Sequence, residues 1–170
     1  MTLVAAFRAF GIPALVGDLL ITTIGGKESQ RKKLHILSDR LAIAWTGHLI
    51  AAEMVVETLQ VQLGKDAPSV KLLELILTNP NFVELGSLQV NLIGWLVEDT
   101  KSHCFRWNSA YPAEVFYDEP MYDGSGDAEA YRYFGDVGII SSDSSFAANR
   151  EQAVEGVLGA VTNLMNVSAD

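Results

Sequence analysis

Thr2 is the residue of this chain whose type and position together suggest chemistry. Removal of Met1 by an aminopeptidase would make it the N-terminus, and a free N-terminal threonine can act as nucleophile and base at once. Its hydroxyl attacks a carbonyl while its own α-amine accepts the proton. Such a nucleophile works best with a lysine and an aspartate beside it. The sequence offers Asp18, after Gly17, and Lys32-Lys33, ahead of the apolar run Leu34-His35-Ile36-Leu37. Each has a plainer reading: Asp18 as a turn residue and Lys33 as a solvated charge at a strand edge, with its neighbour Lys32 leaving the register open by one. No other constellation competes. His35, His48 and His103 lack the spacing of a metal site. Cys104 falls in the middle of a strand-like run. Gly124-Ser125-Gly126 lacks the strand-turn pattern of a nucleophile elbow, and Gly25-Gly26 is not followed by the Lys-Ser/Thr of a phosphate loop.

The elements that must position these residues can be read from periodicity. Leu3 to Ala9 and Ile12 to Val16 flank Gly11 as a hairpin, and Leu34 to Leu37 with Leu41 to Ala44 flank Ser38-Asp39-Arg40 as a second one. From His48 to Leu63 the apolar spacing turns helical, with Gly64 just past the end. This helix is apolar almost all round, which is the pattern of a helix covered on more than one side. Pro68 opens a helix over Ser69 to Leu77 that Asn79-Pro80 stops. Strands resume at Leu88 to Val97, His103 to Asn108 and Val115 to Tyr117. Helices over Asp127 to Phe134, with Ser125 near its cap, and from Asn149 to about Met165 complete the order. No repeat, linker or low-complexity tract interrupts it, so residues 1–170 read as one domain.

Composition narrows the classes. Hydrophobic residues are 49% and charged residues 19% of 170, a folded composition rather than a disordered one. A net charge of −9, with Arg31-Lys32-Lys33 as the one basic cluster, speaks against nucleic acid. A single cysteine excludes an internal disulfide and suits a reducing, cytoplasmic setting. The longest apolar stretch, Leu41 to Val56, contains His48 and Glu53 and falls short of the roughly 20 residues of a membrane span.

In order and spacing these motifs resemble the proteasome β-type, HslV-like family of N-terminal nucleophile hydrolases. The resemblance covers nearly the whole chain: the Thr2 strand, Gly17-Asp18, Lys32-Lys33, Ala44-Trp45-Thr46-Gly47 running into a long helix, the strand from Leu88 to Glu98, and Gly124-Ser125-Gly126 before the third helix. It implies an α+β fold, a four-layer αββα sandwich, and no metal or cofactor. It also implies roles. Thr2 would be the nucleophile, Lys33 would favour its alkoxide, and Asp18 would hold Lys33 charged. The Gly47 N–H would donate to the oxyanion, and Ser125 would orient the threonine amine. Trp45, Leu49 and Glu53, with Leu20 from the opposite wall, would form the primary substrate pocket. Trp45 would fill that pocket, favouring small side chains or closing the site. His48 stands where a second glycine is usual, and Leu19-Leu20 are bulkier than the family's residues there.

Two functions follow. One is a threonine peptidase cleaving unfolded polypeptide inside a homo-oligomeric ring, fed by an unfoldase partner. The other is a non-catalytic ring or binding subunit of the same fold that keeps Met1. A small-molecule amidase without a ring, or an unrelated α/β binding domain, are further alternatives.

Overall fold

The computed structural model describes residues 3–22, 28–63, 67–79, 85, 87–136 and 150–167. Strands β1 (Val4–Ala9) and β2 (Ile12–Gly17) form the expected hairpin. Its two turn residues, Phe10 and Gly11, have φ of 51° and 78°. Two consecutive left-handed residues are what a turn matching the right-handed twist of its strands requires. The pairing runs from Ala9 opposite Ile12 to Val4 opposite Gly17. On the other side of β1 lies β10 (Met121–Asp123), with Val4 opposite Asp123.

The second large sheet is five-stranded and antiparallel, in the order β5 (Leu34–Ser38), β6 (Leu41–Gly47), β7 (Val90–Glu98), β8 (Lys101–Asn108) and β9 (Val115–Tyr117). A small hairpin pairs β3 (Leu20–Thr22) with β4 (Glu28–Gln30). Sequence periodicity did not reveal β3, β4 or β10, because three residues are too few to display a period of two.

Helix α1 (Leu49–Leu63) and helix α2 (Val70–Leu77) pack on one face of the five-stranded sheet, where Leu59, Leu73 and Leu77 meet Ile43, Leu92 and Phe105. Ser69 caps α2 by accepting from the Leu72 N–H at 3.2 Å. The opposite face of that sheet meets β1 and β10 through Val4, Ala6, Met121, Ala44, Ile93 and Cys104. The remaining face of β1 carries Leu3, Ala5 and Phe7 against Ala130 and Phe134 of α3 (Asp127–Asp136) and Leu164 of α4 (Arg150–Val167). Alternation along β1 thus separates two apolar contacts, and its alanines let both layers approach closely.

Polar ties at Trp95 and Arg8 also join the sheets. The Trp95 indole N–H donates to the Ala14 carbonyl at 2.8 Å. The Arg8 guanidinium stacks 5.0 Å from the Trp95 ring, pairs with Glu119 at 2.9 Å and donates to the Ser102 hydroxyl.

The long apolar run from Leu41 is divided between β6 and α1, and among the described residues no helix is long and apolar enough to cross a membrane. The expectation that α1 is covered on more than one side needs revising within this chain. Ala51, Ala52, Val55, Val56 and Leu59 are buried, but Ile50, Met54 and Val61 are more than half exposed.

Candidate functional site

Lys33, just ahead of β5, is 2% exposed, and its ammonium donates to Asp18 Oδ1. Of the two neighbouring lysines Lys33 is the buried one, and Lys32 is exposed. Asp18 does more than pair with a charge. Its Oδ2 accepts from the Leu3 N–H at 3.0 Å, and its own N–H donates to the Leu3 carbonyl at 3.0 Å. One residue therefore holds the backbone of Leu3 from both sides and the buried ammonium as well. A buried ammonium is tolerated only with a partner of this kind.

Gly47 closes β6 on the same side. It has φ +99°, and a Cβ there would lie 2.3 Å from the Gln89 carbonyl oxygen, so the position accepts glycine alone. The ladder also aims its amide. In an antiparallel pair the N–H groups point alternately to the two neighbours. His48 N–H donates to Gln89 O at 2.8 Å, while Trp45 N–H donates to Lys33 O at 3.2 Å. The Gly47 N–H, two residues beyond Trp45, therefore points away from β7 and emerges past the start of β5, on the side where Lys33 lies.

Ser125 is exposed in the turn before α3, two residues after Asp123. That helix opens with the Asp127 N–H donating to Gly124 O and the Ala130 N–H donating to Gly126 O. Thr2 lies outside the described residues. Leu20 enters β3 with its backbone opposite Gln30.

Trp45, Leu49 and Glu53 line a single groove of about 520 Å³. Trp45 is 2% exposed, so its indole fills the base of that groove. The opposite wall carries Arg31, Lys32 and His35, the last not singled out from the sequence. His35 Nε2 stands 3.4 Å from the Trp45 indole nitrogen and 3.1 Å from the Lys32 carbonyl. One ring nitrogen cannot accept from the first and donate to the second at once. Burial lowers the His35 pKa, opposed by the Lys32 carbonyl and assisted by the Lys32 charge. A proton on Nε2 donates to the Lys32 carbonyl, whereas a proton on Nδ1 leaves Nε2 to accept the indole N–H.

Cys104 is buried in β8. Burial pushes the Cys104 thiol up to about 12, and Glu119 adds to the effect. Among the described residues no group of three or more His, Cys, Asp or Glu is placed to hold a metal ion.

The sequence reading missed one polar network. Thr46, next to Gly47, donates its hydroxyl to Asp123 Oδ2, and the Asn91 amide bridges both. No local motif could have signalled it, because the three residues come from β6, β7 and β10.

No protein-family model matches the chain, and no curated protein matches it in sequence. Among solved structures the chain is similar to the crystal structure of eukaryotic HslV from Trypanosoma brucei. The TM-score is 0.63 at 18% identity, over 95% of this chain and 91% of that one. At that identity the likeness speaks to the backbone alone: this chain has a proteasome-like, mixed α/β fold shared with HslV.

Proposed function

We propose that this protein is a threonine peptidase of the proteasome and HslV type, using Thr2 after loss of Met1, and that its layers form the αββα sandwich of that class. The observation that carries this reading is the Asp18–Lys33 pair, buried and fastened to the backbone of Leu3. Position 2 is covalently attached to the Leu3 amide nitrogen, with its Cα about 3.8 Å from that of Leu3. Alternation along β1 supports the direction of its side chain. Val4 and Ala6 face the five-stranded sheet, and the reading requires position 2 to share their side. Val4 pairs with Asp123, two residues before Ser125, which is in keeping with a role for Ser125 near the N-terminus.

In this mechanism the Thr2 hydroxyl attacks the peptide carbonyl and its proton passes to the α-amine. The Gly47 N–H receives the oxyanion, and the Lys33 ammonium lowers the cost of the alkoxide. Collapse breaks the C–N bond, the leaving amine takes the proton, and an ester on Thr2 remains. Water, deprotonated by the α-amine, releases it. The substrate is unfolded polypeptide, with the side chain before the cleaved bond entering the groove of Trp45, Leu49 and Glu53. The exposed Ile50, Met54 and Val61 of α1 support assembly into a homo-oligomeric ring, and a closed chamber implies an unfoldase. The single buried thiol suits the cytoplasm.

The test is intact mass before and after exposure to a peptide epoxyketone, which closes a ring with the hydroxyl and free α-amine of an N-terminal threonine. We expect loss of Met1 and one adduct per chain, absent in Thr2→Ala. Retained Met1 without adduct would leave the second reading, a non-catalytic subunit of this fold, which the buried indole at the base of the groove favours. If the peptidase reading holds, Trp45→Leu should deepen the groove. Its relative turnover of peptides with a bulky residue before the cleaved bond, over those with alanine, should rise roughly 10-fold, measured with fluorogenic peptides.

A further inference from the structure

Where the two large sheets meet, beside the candidate site, Asp123 of β10 reaches across to the five-stranded sheet. Its Oδ2 accepts from the hydroxyl of Thr46, which is 4% exposed. The Asn91 side-chain amide donates to Asp123 Oδ2 at 3.0 Å, to Oδ1 at 3.2 Å and to the Thr46 hydroxyl at 3.3 Å. Thr46 and Asn91 are cross-strand partners in β6 and β7, and Asp123 is the partner of Val4 in β10. The network therefore joins the strand next to the N-terminal one directly to the residue before Gly47.

We propose that Thr46, Asn91 and Asp123 form a clamp that sets the Gly47 amide at working distance from the nucleophile; they are positioning residues, and the inference rests on the reading of Thr2 and Gly47 given above. The geometry makes this specific. The proposed nucleophile precedes β1 in the chain and the proposed oxyanion donor ends β6, so the spacing of the two sheets bears on their separation. Apolar contact through Val4, Ala44 and Ile93 holds the sheets together but is not directional. Hydrogen bonds to a carboxylate are short and directional, and these sit one residue from Gly47. Asp123 also precedes Gly124-Ser125, so the same clamp ties the turn bearing Ser125 to the oxyanion donor.

The test uses Thr46→Val, which keeps the shape and removes the hydroxyl, with Thr46→Ser as rescue and Asp123→Asn as a second, size-conserving variant. Two readouts are taken well below the unfolding temperature: the Gly47 amide signal in ¹⁵N-glycine-labelled protein, and the rate of epoxyketone adduct formation with the split of peptide turnover into kcat and KM. For Thr46→Val we expect the Gly47 signal to move or split and kcat to fall roughly 10²-fold, the scale on which small misplacements act, with KM little changed. Thr46→Ser should restore most of the rate, and Asp123→Asn should fall between. An unchanged Gly47 signal in both Thr46→Val and Asp123→Asn would overturn the clamp, as would unchanged kcat in both. A wild-type protein that forms no adduct, while its Gly47 signal still responds to Thr46→Val, would sink the peptidase reading and keep the clamp.

Discussion

Gly47→Ala should destabilise the protein by at least about 3 kcal/mol and, on the peptidase reading proposed above, lower the adduct rate by roughly 10²–10³-fold, the scale of removing one oxyanion donor. Both effects come from one atom. The added Cβ would lie 2.3 Å from the Gln89 carbonyl oxygen and 3.1 Å from Val90 Cα, contacts that neither backbone can relieve without parting β6 from β7. The φ of +99° is independently unfavourable for any residue with a Cβ. A backbone donor cannot be deleted by substitution, but it can be moved, and this is the substitution that moves it. Denaturant unfolding and epoxyketone adduct rates measure the two arms. Stability lost with the adduct rate intact would mean that the Gly47 amide does not face the oxyanion.

Asp18→Ala should cost about 3–5 kcal/mol, because it strands the Lys33 ammonium in a site that is 2% exposed. It also removes the acceptor of the Leu3 N–H. In a protein of this size the melting temperature should fall by roughly 10 °C. Lys33→Met should be milder, since the Asp18 carboxylate is 13% exposed and keeps its bond to Leu3. The double variant Asp18→Ala/Lys33→Met should recover part of the loss, because it buries no unpaired charge. A loss under about 1 kcal/mol for Asp18→Ala, the range of exposed pairs, would mean that the ammonium swings out to water.

Much of the scaffold could be read along the chain because its signals are local. The Gly11 turn between two apolar runs marked the first hairpin, and the change of period after Gly47 marked α1. Asp18 and Lys33 could be nominated from order and spacing, but only burial decides between Lys33 and Lys32. What escaped was either too short or too distant. β10 is three residues between Pro120 and Gly124. The bonds among Thr46, Asn91 and Asp123 span 45, 32 and 77 positions. A threonine before a glycine and an aspartate in a turn look the same with or without that network. The groove on α1 was named through the family resemblance, which implied Trp45, Leu49 and Glu53 on one wall and Leu20 on the other; the side chain of Leu20 lies outside the described residues. His35 enters only because β5 and β6 are neighbours.

The first hairpin is also a ruler. Its turn at Phe10-Gly11 starts the count, and the paired bonds between Leu3 and Asp18 end it. The number of residues between those marks decides which way each side chain of β1 faces. Removing one residue from the Leu3-to-Ala9 limb would turn every side chain beyond the gap to the other layer. Val4 would then face α3 and α4 instead of the five-stranded sheet, with every side chain of the limb but one still present. Length in this limb is thus as much a requirement of the proposed chemistry as the identity of any side chain in it.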